Sequence, residues 1–163
     1  MCGCLMVKNQ MVATASRDYR GCIFTVPHQL NAVCLHNQRI YYDILFASVW
    51  NTLHSFGYSH YGSETGAVAV LHTCGQNMSL HPHIHCIVPA AGYTLDGRWK
   101  EIGHSGQYLY PVHQLRVAFK GKFPDRLKRA LRKKNELALF DDRVQAAYKN
   151  PMGGTPGTFD GKC

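Results

Sequence analysis

The clearest hydrophobic periodicity in the chain begins after Asn37. Tyr41, Ile44, Leu45, Ser48, Val49, Thr52, Leu53 and Phe56 recur at steps of three and four, the spacing that lines up one face of an α-helix. The pattern predicts a helix that stops at Gly57. Upstream, Cys22-Ile23-Phe24-Thr25-Val26 is a short β-rich run ended by Pro27, which reads as a strand. Downstream, Tyr58 to Thr65 is a polar loop, and Ala67-Val68-Ala69-Val70-Leu71 is an unbroken apolar run. Such a run fits a strand buried on both faces. A loop from Thr73 to Ser79 leads to a strand from His83 to Val88, after which Pro89 and Gly92 turn the chain. Short strands are expected at Trp99 and at Tyr108-Leu109-Tyr110, and a last one over Val144 to Tyr148. Val112 to Lys122 reads as a helix that Pro124 either kinks or follows with the first turn of another. Residues 1–20 carry no period.

Within this pattern, one alternation carries chemistry. His81-Pro82-His83-Ile84-His85 runs directly into Cys86-Ile87-Val88. A strand sends residues i and i+2 to the same face. His83 and His85 are thus side by side, with Ile84 turned to the core. Neutral imidazole is the commonest protein ligand for a divalent ion, so the pair is a candidate metal site. A solvated strand face carrying histidines is the competing reading. Two strands flanking a helix, with this alternation on a central strand, predict an α+β domain. Its antiparallel sheet is covered by helices on one face, and the other face is left open.

Charge and cysteine content narrow the partners and the compartment. A formal net charge of +8 points to a polyanion, with nucleic acid the default. Lys128, Arg129, Arg132 and Lys133 form the densest basic face, beside Arg126 and Lys134; they are candidate contacts to DNA phosphates. No apolar run has the roughly 18–20 residues of a membrane span. Seven cysteines at irregular spacing include no Cys-x-x-Cys, which favours free thiols and a cytoplasmic location. Cys22 and Cys86 lie in apolar runs, where a thiol is a small buried hydrophobe.

Four blocks, in order, resemble a known family. Cys22-Ile23-Phe24-Thr25-Val26-Pro27-His28-Gln29-Leu30-Asn31 is the first and Tyr42-Asp43-Ile44-Leu45-Phe46 the second. Ala69-Val70-Leu71-His72-Thr73-Cys74-Gly75-Gln76-Asn77-Met78-Ser79-Leu80 continuing through His81-Pro82-His83-Ile84-His85-Cys86-Ile87-Val88-Pro89 is the third. Phe119-Lys120-Gly121-Lys122-Phe123 is the fourth. Together they are similar to the two-tyrosine rolling-circle transposases of insertion sequences, within the HUH endonuclease superfamily. The resemblance implies that His83-Ile84-His85 is the His-hydrophobic-His motif holding Mg²⁺ or Mn²⁺. His81 and Gln76 are candidate neighbours of the metal, and a third ligand comes from elsewhere. The implied reaction is cleavage and rejoining of single-stranded DNA through a covalent phosphotyrosine, with exposed aromatics as candidate base-stacking platforms.

The same resemblance predicts departures. The family's nucleophilic tyrosines follow a Pro-x-Gly-Gly segment, here Pro151-Met152-Gly153-Gly154, and the first would fall near Gly161. The chain is therefore expected to lack its catalytic tyrosines and to be inactive in cleavage. The expected organisation is a poorly ordered N-terminal remnant over 1–20, a partial HUH-type transposase domain over 21–154 and an unrelated, disordered tail over 155–163. Alternatives are a non-catalytic DNA-binding remnant and a zinc hydrolase using His81, His83 and His85.

Overall fold

The computed structural model describes residues 19–75, 78–102 and 112–133, with the backbone of Leu5–Val7 and Gly161–Lys162. In chain order the elements are β1 (Leu5–Val7), β2 (Tyr19–Thr25), a 3-10 turn (His28–Leu30), α1 (Asn31–His36), α2 (Gln38–Phe56) and a π-turn (Gly57–Tyr61). They continue with β3 (Ser63–Glu64), β4 (Val68–Cys74), β5 (Leu80–Pro89), β6 (Ala91–Thr94), β7 (Trp99–Glu101), α3 (Val112–Arg132) and β8 (Gly161–Lys162).

The main sheet has the order β1-β4-β5-β2-β8, and β3-β6-β7 form a second one. All the pairings are antiparallel. Both edge strands of the main sheet come from segments expected to flank the domain. Strand alternation then sorts β5. Pro82, Ile84, Cys86 and Val88 are buried, while His81, His83, His85 and Ile87 stand on the other face. Residues opposite each other across an antiparallel pair share a face. Phe24 opposite Ile84 and Cys22 opposite Cys86 therefore continue the buried side.

Helices cover that side. Tyr41, Leu45, Ser48, Val49, Thr52, Leu53 and Phe56 are the buried face of α2, on the expected period. Ser48 and Thr52 return their hydroxyls to the carbonyls of Ile44 and Ser48, which removes the cost of burying them. α3 adds Leu115, Phe119, Phe123 and Leu127. Phe119 meets Phe24 edge-on at 5.0 Å, and Phe123 meets Tyr41 at 5.5 Å. Fully burying each such apolar side chain contributes about 1.5–3 kcal/mol. The expected α+β fold, with helices on one face of an antiparallel sheet, is what the chain adopts.

Several local expectations differ from the result. The α-helix ends at Phe56 before Gly57 as expected, but the chain does not reverse there: Gly57 keeps right-handed dihedrals and opens the π-turn. Glycine is needed there because a Cβ would lie 2.7 Å from the Ser63 carbonyl oxygen. The reversal comes at Gly62, whose φ is +61°, a region open to glycine at little cost. Gly92 likewise sits inside β6, where a Cβ would come within 2.8 Å of the Glu64 carbonyl oxygen. The turn follows at Leu95 to Gly97, where the Gly97 amide donates to the Thr94 carbonyl. Pro124 lies inside one continuous helix. Cys86 is buried and free, whereas Cys22 is buried but disulfide-bonded, which corrects its reading as a free thiol. The strands expected at Tyr108 to Tyr110 and Val144 to Tyr148 lie outside the described residues.

Candidate metal centre

The site is assembled by register. β4 runs beside β5 with His72 opposite His83 and Val70 opposite His85. On the far side of β5, Thr25 and Ile23 of β2 face the same two histidines. His72 thus joins His83 and His85 on the open face of the sheet. One ligand nitrogen from each of the three lies within 4.8 Å of the others. The rings are nearly stacked between His72 and His85, with centroids 4.2 Å apart, and stand 5.2 Å apart between His72 and His83. His72 is exposed, while His83 and His85 are half-buried. A ligand on this face has open access.

Electrostatics and hydrogen bonding favour the ligand form. His85 is held below its ordinary value by burial first, then by the neighbouring His72 and His83. His81 is lowered in the same way, by burial and then by His83 and His28. A lowered value keeps the ring neutral with a lone pair available. The Nδ1 of His83 stands 2.7 Å from the backbone carbonyl oxygen of His81. A carbonyl can only accept, so this contact puts the proton on Nδ1 and leaves Nε2 as the donor atom for an ion. An outer partner of this kind commonly fixes the orientation of a metal-binding histidine.

The predicted site residues divide clearly. His83 and His85 are together as expected. His81 shares their face, with its ring centroid 5.3 Å from that of His83, but it stands outside the group of three. Gln76 lies outside the described residues. His72 is the residue that sequence reasoning missed. It directly follows residues 67–71, the run read as a strand buried on both sides, yet Val68, His72 and Cys74 are exposed, in alternation with half-buried Leu71 and Thr73 from Leu71 onward. That alternation is invisible in a run whose residues are nearly all apolar. Lys128, Arg129 and Arg132 are exposed on α3, and Lys133 is exposed just past its end. This helix packs on the face of the sheet opposite the histidines, so the fold does not bring the basic face to the cluster.

Comparison with known proteins bears on the family and the fold. Residues 66–152, more than half of the chain, match the profile of the family Y2_Tnp, described as "Putative transposase". The chain is 35% identical over 128 residues to "Putative transposase y4qJ" of Sinorhizobium fredii, covering 77% of this chain and 31% of that protein. It is 32% identical over 87 residues to the "Transposase for insertion sequence element IS801" of Pseudomonas savastanoi pv. phaseolicola, covering 53% of this chain and 21% of that protein. The chain thus spans a third or less of the curated relatives it matches. Among solved structures it is similar to the conjugative relaxase TrwC in complex with OriT DNA. The metal-free form gives a TM-score of 0.54 at 14% identity, over 79% of this chain and 53% of that one. A metal-bound form gives 0.52 at 14% identity, over 78% and 51%. These likenesses establish an HUH endonuclease fold. The histidine-bearing hairpin lies within the matched segment, and the chain belongs to the "Putative transposase" family, Y2_Tnp.

Proposed function

We propose that this chain is the part of a rolling-circle transposase that holds a divalent metal and presents single-stranded DNA to it. The metal ligands in this reading are His72, His83 and His85. The observation that carries it is the convergence of three imidazole nitrogens within 4.8 Å on an open sheet face. Neighbouring nitrogens bound to one ion at about 2.1 Å each stand roughly 3.0–3.4 Å apart, so the rings would close by up to about 1.5 Å, a change that side-chain rotation on the open face allows. The donor set therefore fits an ion. Mg²⁺ and Mn²⁺ are both candidates; an all-nitrogen set favours Mn²⁺, because Mg²⁺ prefers oxygen ligands and sheds water reluctantly. When bound, the metal supplies positive charge to the oxygens of a scissile phosphate. The relaxase whose fold is similar binds OriT DNA in its crystal structures, which supports DNA as the ligand of the open face.

The rest of the reading follows from placement. Lys128, Arg129, Arg132 and Lys133 would contact DNA phosphates away from the cleavage point. In this reading residues 21–154 are the body of the HUH-type unit, to which β1, the start of β2 and β8 add sheet residues from the flanking segments, and it acts in the cytoplasm. Among the described residues no helix is long and apolar enough to cross a membrane. Strand cleavage requires a tyrosine hydroxyl at the metal. Tyr41 and Tyr42 belong to the helical layer, Tyr58 and Tyr61 to the π-turn, and Tyr93 to β6. Tyr19 is on the open face, but it lies four residues along β2 from Ile23, the partner of His85, or about 13 Å away. None of the described tyrosines therefore stands at the metal, and in this reading the chain binds metal and DNA without nicking. A zinc hydrolase is less well supported, because no carboxylate joins the histidine group among the described residues.

Mn²⁺ titration followed by electron paramagnetic resonance tests the metal site. The double variant H83A/H85A should abolish uptake with the fold retained by circular dichroism. Unchanged uptake removes the site from this account. Incubation with single-stranded element-end DNA and Mn²⁺ should give a gel shift without a covalent protein–DNA adduct; an adduct would show that the chain carries its own nucleophile.

A further inference from the structure

A second charged feature lies on the other side of the molecule. Lys122, Arg126, Arg129 and Lys133 recur at steps of four, three and four, one stripe along α3 that spans about 17 Å at 1.5 Å per residue. They line a groove of about 620 Å³ between α3 and α2, whose other walls include Ile44, Asn51 and Ser55. Asp125 is the one acid among the described residues of that lining, and it pairs with Arg129 at 2.8 Å. Lys122 is held in place by the Asn51 carbonyl and the Ser55 hydroxyl, each 2.6 Å away. Burial, and after it the charge of Arg126, disfavours the Lys122 ammonium. Like charges crowded in a groove are relieved by an anionic occupant.

The lining also selects among anions. Among the described residues it contains no aromatic side chain. Single strands are gripped by aromatic platforms on which bases stack, whereas a duplex hides its bases and offers phosphates about every 3.4 Å of axis per strand. We propose that the groove between α2 and α3 is a second DNA site, which takes the phosphate backbone of a duplex segment on the side of the sheet away from the histidines. The choice of DNA rests on the functional reading above. The protein would then hold a single strand at the metal and flanking duplex behind it.

Fluorescence anisotropy in EDTA, with a short blunt-ended duplex and a polythymidine strand of equal length, tests this on the whole chain. Arg126→Gln with Lys133→Gln should weaken duplex binding by at least about tenfold and flatten the salt dependence by about two phosphate contacts. Ser55→Glu, which adds a carboxylate and removes no cation, should act in the same direction. Arg98→Gln with Lys100→Gln removes equal charge from the β6–β7 hairpin and should leave duplex affinity within about twofold. Unchanged duplex binding in the groove variants, an equal loss in the hairpin variant, or a larger loss for polythymidine than for duplex overturns the proposal. Mn²⁺ uptake measured on the same variants separates the two sites: loss of duplex binding with uptake intact supports a separate groove. Absence of uptake in the parent chain would refute the metal reading alone.

Discussion

Single side chains decide whether an ion can sit on the sheet. His72 reaches His83 and His85 from the neighbouring strand, so His72→Ala should weaken Mn²⁺ binding by roughly 10–100-fold, measured by calorimetry. Unaltered affinity would mean that the two β5 histidines suffice. Acid should loosen the metal-free protein. The lowered value of His85 means that its contribution is fully present above the ordinary 6.5 and is lost as pH falls through the folded value. Thermal melts should shift downward below about pH 6.5, and His85→Gln should flatten part of that slope. Burial pushes the Cys86 thiol up to about 12 and raises that of Cys34. Exposed Cys74 should therefore be alkylated first at about pH 8, and Cys34 and Cys86 only after unfolding. Tyr41 is fully buried, and its hydroxyl has no hydrogen-bond partner among the described residues. Tyr41→Phe should be neutral or add up to about 1 kcal/mol in denaturant melts.

Elements hold these side chains through a few close approaches. The π-turn passes so near β3 that a Cβ on Gly57 would meet the Ser63 carbonyl oxygen at 2.7 Å. Gly57→Ala should cost about 1–3 kcal/mol in denaturant melts, while Gly66→Ala, with nothing within 4 Å of the added carbon, should be tolerated. The β4–β5 hairpin is the decisive element. Its register shifts between His72 and Cys74. If the Cys74–Leu80 pairing ran on unbroken, His72 would face Pro82 and turn into the core. The single-residue irregularity is what moves it to the open face, as any one-residue slip does.

At the scale of the whole molecule, the sheet separates two chemistries. Histidines occupy one face, and the cationic stripe of α3 lies behind the other. An ion bridging β4 and β5 should also stabilise the fold. Free Mn²⁺ at 100 times its Kd adds about 2.7 kcal/mol, a rise in melting temperature that H83A/H85A should abolish. Much of this architecture was legible in the chain itself. The helical period from Tyr41 to Phe56 depends only on local geometry, and so does the alternation that sets His83 and His85 apart from Ile84. Their faces follow from backbone periodicity alone. The third histidine, the π-turn that follows α2 and the separation of the basic face from the histidine cluster depend on which strands pair and in what register. Those are contacts between distant residues. Only tertiary packing decides them, because side-chain spacing within one segment carries no information about the segment beside it.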